Sequence, residues 1–140
     1  MMRRALAIDE ASFGPEHPTV ATAVNNLAGL LQDTNRLDEA EPLDRRALAI
    51  TEASFGPEHP NVAIRLNNLA QLLQATNRLD EAEPLMERQL VIFLQFTRQT
   101  GHRHPHLEDA VKNYSGLLIQ MGHSEDEVND RLKRLGAGRK

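Results

Sequence analysis

Cysteine and tryptophan are absent from this 140-residue chain, and aromatic residues of every kind make up only 4% of it. Without thiols there is no disulfide, no thiolate metal site and no cysteine nucleophile, and redox logic does not fix a compartment. An excess of positive charge is also missing. Sixteen Lys and Arg face 20 Asp and Glu, for a net charge of −4, so a general nucleic-acid binder is not expected. No stretch approaches the ~20 apolar residues of a membrane-spanning helix. The opening Met-Met-Arg-Arg-Ala-Leu-Ala-Ile-Asp-Glu is charged and amphipathic, without the apolar run of about 7–15 residues that marks a signal peptide. The expectation is a soluble, cytoplasmic protein with neither a membrane nor a nucleic-acid partner. Catalytic motifs are lacking too: no Gly-rich phosphate loop, no Gly-x-Ser-x-Gly and no His-Glu-x-x-His. Neither enzymatic activity nor a cofactor is expected.

The chain does contain a copy of part of itself. Residues 2–43 and 44–85 align without a gap, and 34 of the 42 positions are identical. A fixed period of this size is the signature of a solenoid, in which each unit buries its apolar face against its neighbours. With 40% hydrophobic residues, mostly Ala and Leu, the composition suits close-packed helices in one elongated domain.

Each period carries two helical patterns. The first is expected to start at Pro18, Pro60 and Pro105, since proline suits a first helical turn. Val20, Val24, Leu27 and Leu31, with Ala21 and Ala28, trace one helix face. Val62, Leu66, Leu69 and Leu73 repeat it, and Leu107, Val111, Tyr114 and Leu118 restore it. The second pattern starts near Leu37 and Leu79, with Ala40, Leu43, Ala47 and Ile50, then Ala82, Leu85, Gln89 and Ile92. Pro42 and Pro84 lie early enough to bend rather than break it. Gly56 closes one of these helices and Gly101 the next. Ser124-Glu125-Asp126-Glu127 reads as a capping box before a last helix ending at Gly136. About seven helices are expected. Residues 1–16 form a leading half-unit, 17–58 and 59–103 two repeats, 104–136 a diverged terminal pair, and 137–140 a frayed tail.

Asn-Asn-Leu-Ala followed by Asn-Arg-Leu-Asp-Glu-Ala-Glu-Pro-Leu, with small residues at Ala28, Ala40, Ala47, Ala70 and Ala82, resembles the tetratricopeptide repeat. The likeness is to the 42-residue subtype of kinesin light chains and their bacterial relatives, over about residues 2–121. The resemblance implies an all-α, right-handed α-solenoid. It also implies a non-enzymatic module that holds a peptide or partner segment in a concave face lined by first helices. The rival reading is an assembly module that contacts copies of itself or further repeats. Asp44 and Met86 stand where the family usually has an aromatic, and Gln89 and Ser115 where it has alanine.

By that resemblance the groove positions are Thr22, Asn25, Gly29 and Gln32 in the first pair, and Ile64, Asn67, Gln71 and Gln74 in the second. Asp109, Lys112 and Gly116 follow in the third. Carboxamides there could satisfy the backbone of an extended peptide, and Asn25 and Asn67 are expected to face the groove. Alternatively, Asn25, Asn26, Asn67 and Asn68 stitch helices together. Arg65, Lys112 and His106 would add positive charge that favours an acidic peptide, or they are solvated surface charge. His102, His104 and His106 alternate in the pattern that brings imidazoles to one side of an extended loop, as a metal site requires. However, no carboxylate or cysteine is paired with them, and His104 fills the slot of His17 and His59, so no metal is expected. Met86, Phe93, Leu94 and Phe96 replace Asp44, Thr51, Glu52 and Ser54 of the first copy. That makes the helix from Leu79 to Thr100 apolar nearly all round. Self-association as a homodimer, also covering Ala5, Leu6 and Ile8 of the opening helix, is the first reading of this stripe. Coverage by the last two helices is the second.

Overall fold

The computed structural model describes residues 17–136. The expected opening helix, with Ala5, Leu6 and Ile8, and the tail from 137 lie outside them. The described residues form six α-helices and no strand. These are α1 (Pro18–Asp33), α2 (Leu37–Phe55), α3 (Pro60–Ala75), α4 (Leu79–Thr100), α5 (Leu107–Gln120) and α6 (Glu125–Leu135). Consecutive helices pack on one another as antiparallel pairs in a stack.

Histidine and proline start the first helices together. His17 Nδ1 accepts the Thr19 N–H at 3.1 Å and His59 Nδ1 accepts the Asn61 N–H at 3.0 Å. These bonds satisfy donors that a helix start leaves without partners, and proline then occupies the first turn. The third copy departs from this pattern. His104 Nδ1 accepts the His106 N–H at 3.1 Å, yet α5 begins at Leu107 and not at Pro105. The longer link folds differently: the His104 N–H is held by Thr97 Oγ1 at 3.3 Å, and the His104 ring stacks on Phe93 with centroids 4.2 Å apart.

Pro42 and Pro84 sit inside α2 and α4 without ending them. Gly101 ends α4 in the left-handed region, at φ 72°, which glycine enters at no steric cost. Asn35 and Asn77, at φ 61° and 60°, make the tight turn between the helices of the first two pairs, a conformation asparagine tolerates better than most residues. Ser124 and Glu127 form the reciprocal capping box of α6.

The apolar faces are buried as the periodicity requires. One cluster joins Val20, Val24, Leu27 and Leu31 of α1 to Ala40, Ala47 and Ile50 of α2 and to Leu72 of α3. The other runs from Val62 through α3, α4 and α5 to Val128 and Leu132 of α6. The apolar stripe of α4 belongs to this second core, which corrects the first reading of it. Met86, Phe93 and Leu94 are 1%, 0% and 8% exposed. They share their cluster with Tyr114, Leu117, Leu118 and Val128. Phe96 is half-buried, its ring edge-on to His104 at 4.8 Å. Met86, Phe93 and Leu94 are therefore covered within the chain, because α5 and α6 fold over α4.

Two seams of different chemistry tie the repeats. First helices are joined by carboxamides. Asn68 Nδ2 donates to Asn25 Oδ1 at 2.6 Å, Asn113 Nδ2 to Asn67 Oδ1 at 3.3 Å, and Gln74 Nε2 to Gln120 Oε1 at 2.7 Å. Second helices are joined by charges. Arg78 pairs with Glu41, Arg88 with Glu52 at 3.1 Å, and Arg131 with Glu83 at 2.9 Å. Glu41 and Glu83 are equivalent positions of the repeat. The hydrogen bond from Arg78 holds the Glu41 carboxyl below its usual range.

Candidate binding pocket

Asparagine and glutamine dominate the face formed by the first helices, because α1, α3 and α5 turn their Ala, Val and Leu inward. Five of the expected groove residues, Ile64, Asn67, Gln71, Asp109 and Lys112, line one cavity of about 320 Å³ between α3 and α5. His106, expected to add charge to the groove, lines it too, and the sequence reading missed three more residues as pocket lining: Gln89 and Phe93 from α4, and Asn113. Exposure grades with depth. Ile64 is 42% exposed, and Gln71, His106, Asp109 and Lys112 are exposed beside it, while Asn67 and Asn113 are half-buried. Phe93 at 0% and Gln89 at 5% form the base.

The remaining expected positions are not in this cavity. Asn25 Oδ1 is taken up by Asn68 of the next repeat. Thr22 Oγ1 donates to the Pro18 carbonyl at 3.4 Å. Gln74 binds Gln120, and Gln32 Nε2 donates to Asp44 Oδ2 at 2.9 Å. Gly29 and Gly116 are equivalent to Gln71, and a Cβ at either would meet nothing within 4 Å. For asparagine, stitching and lining were expected to exclude each other. Asn67 does both, since its Oδ1 accepts from Asn113 while the residue lines the cavity. Asn25 and Asn67 each bond to a residue of the following repeat, not to each other.

The electrostatics of the face are mixed. Asp109 and Lys112 stand at the rim with His106, whose Nδ1 is 4.0 Å from Asp109 Oδ2. Arg65 lies away from this cavity, and burial lowers its pKa while the Asp44 charge opposes that shift. Asp44 is buried beside Gln32, and burial pushes its carboxyl up to about 6 against the Gln32 hydrogen bond and the Arg65 charge. The three histidines of the loop do not converge on a point. His104 spends its Nδ1 on a backbone N–H and its ring on Phe93. Among the described residues no group of three or more His, Asp or Glu is placed to hold a metal. No helix among them is long and apolar enough to cross a membrane.

A second cavity, of about 370 Å³, opens on the other side of α4, between Pro57, Glu58, Pro84, Arg88 and Gln95. Arg88 Nη2 there donates to the Pro57 carbonyl at 3.0 Å.

Comparison with known proteins agrees with this architecture. BtubC (BKLC) from P. vanneervenii superposes with a TM-score of 0.79 at 27% identity, over 97% of this chain and 54% of that one. The nearly identical TPR-like repeats assigned to a kinesin light chain of Podosopora anserina superpose with a TM-score of 0.80 at 24% identity, over 97% and 63%. This chain thus spans between about half and two thirds of the length of either. No curated protein gives a match. The fold is the tetratricopeptide α-solenoid, a type of module that mediates protein–protein interaction and is typically non-catalytic. The tetratricopeptide repeat profile matches residues 1–50 and 19–90, well over half of the sequence, and the chain belongs to the tetratricopeptide repeat family.

Proposed function

We propose that the chain is a protein-interaction module that holds an extended peptide segment of a partner in the cavity between α3 and α5. The observation that carries this reading is the cavity itself. It joins a buried aromatic base, Phe93, to a rim of exposed polar side chains and one exposed aliphatic, Ile64. Sites for small ligands and peptide side chains have this build, an apolar body with a few polar groups that fix orientation. Phe93 and Ile64 would take a side chain of the peptide, and the carboxamides along the first helices would pair with its backbone. With Asp109 and Lys112 both at the rim, the site does not favour a strongly acidic or basic segment.

The test is selection of a phage-displayed dodecapeptide library on the purified chain. Peptides should be enriched that lose at least about tenfold in affinity, or 1.4 kcal/mol, toward Ile64→Glu and Lys112→Glu. Both residues are exposed, so these variants should keep the fold of the parent. Failure to enrich any peptide, or enriched peptides indifferent to both substitutions, rejects the reading.

A further inference from the structure

At the base of the cavity, Gln89 Oε1 is buried with no hydrogen-bond partner, in a side chain only 5% exposed. Buried polar atoms are nearly always paired, and each exception calls for a reason. Here no structural role supplies one. The first repeat has Ala47 at the equivalent position, itself 1% exposed, so the helix pair closes without a carboxamide. Glutamine has replaced alanine at the one point where α4 meets this cavity beside Phe93.

We propose that Gln89 makes the cavity a subsite for a neutral carboxamide side chain, an asparagine or glutamine of the docked segment. This rests on the peptide-binding reading above and specifies it. Gln89 Oε1 asks for a donor. Asn67 has committed its Oδ1 to Asn113, so what it can offer a ligand is its Nδ2 hydrogens. A group that donates to one and accepts from the other complements the pair, and a carboxamide carries both functions on separate atoms. Competing groups fare worse for stated reasons. A carboxylate could accept from Asn67 Nδ2 but brings no hydrogen for Gln89 Oε1, which would stay unpaired. An ammonium would be buried beside Phe93 with no counter-charge at the base, at high cost. An aliphatic side chain would leave Oε1 unpaired, and a site built for a polar partner discriminates strongly against ligands lacking it.

The experiment uses four pools of end-capped, fluorescein-labelled heptapeptides, random except for a central Gln, Glu, Leu or Tyr. Each is titrated by fluorescence anisotropy into the full chain and into Gln89→Ala, with Gln89→Met as a second variant should the first fail to fold. The expected result is that the Gln pool binds about tenfold tighter than the Glu and Leu pools. That preference should shrink below about twofold in the variant. Equal binding of all pools, a preference for Tyr or Glu, or a Gln preference that survives in the variant overturns the subsite and leaves the peptide-binding reading standing. Absence of binding by any pool overturns both.

Discussion

The carboxyl of Asp44 is 2% exposed, and burial lifts its pKa from 3.8 to about 6. The sign of its effect on stability follows from linkage. Between about pH 4 and 6 the folded chain holds a proton that the unfolded chain has released. Stability from this group is therefore full below about pH 4, falls as pH rises to 6, and is level above that. The loss amounts to about 2–3 kcal/mol at most. Asp44→Asn keeps an acceptor for Gln32 and removes the charge. Urea unfolding at pH 4 and pH 7 should show the parent losing stability relative to this variant at the higher pH. A constant difference between the two would exclude the mechanism. Glycine offers a second residue-scale prediction. Gly29 and Gly116 lie inside helices with open space where a Cβ would stand. Alanine at each should raise stability by about 0.5–1 kcal/mol by limiting the unfolded chain, visible as a higher midpoint in thermal melts.

At the scale of elements, caps and turns decide where helices begin and end. Ser124 accepts the Glu127 N–H at 3.2 Å and Glu127 answers through the Ser124 N–H at 3.1 Å. Ser124→Ala should cost about 0.5–2 kcal/mol, and hydrogen exchange should speed up in α6 before α3 if the loss is local. Signals of this kind were legible in the residues. The 42-residue period, the His-Pro starts, Gly101 and the capping box located five of the six described helix starts and the end of α4. The start of α5 was not legible, because Gly101 and Pro105 keep the spacing of Gly56 and Pro60, the three extra residues lengthening α4 instead, while the link itself becomes a longer loop held by Thr97 and Phe93. The Asn67–Asn113 bond was hidden because it spans 46 residues where its counterpart Asn25–Asn68 spans 43, the insertion in α4 having shifted the partner out of the repeat register. Gln89 was visible as a substituted alanine, but only depth showed that it faces a cavity and not merely a looser core. Its signal was the change itself, a polar side chain at a position whose counterpart is buried Ala47.

At the scale of the molecule, the long core from α3 to α6 replaces the dimer interface that the α4 stripe suggested. The residues were read correctly as needing cover, and sequence could not decide what covered them, since burial by a second chain and by α5 and α6 leave the same pattern. Phe93→Glu with Leu94→Glu should therefore unfold the chain, because two charges would be placed in a closed core without partners. Circular dichroism should show lost helicity at 25 °C, whereas a folded double variant would return the stripe to the surface. The two inter-repeat seams carry a further consequence. Carboxamide bonds between α1, α3 and α5 are neutral, while α2, α4 and α6 are tied by exposed and half-exposed ion pairs that dissolved salt screens. Ionic strength thus loosens one layer and leaves the other as it was, in the manner of a bimetallic strip that bends because its two faces answer differently to the same change. The curvature of the stack becomes a function of its medium, and with it the width of any cleft that opens between the first helices.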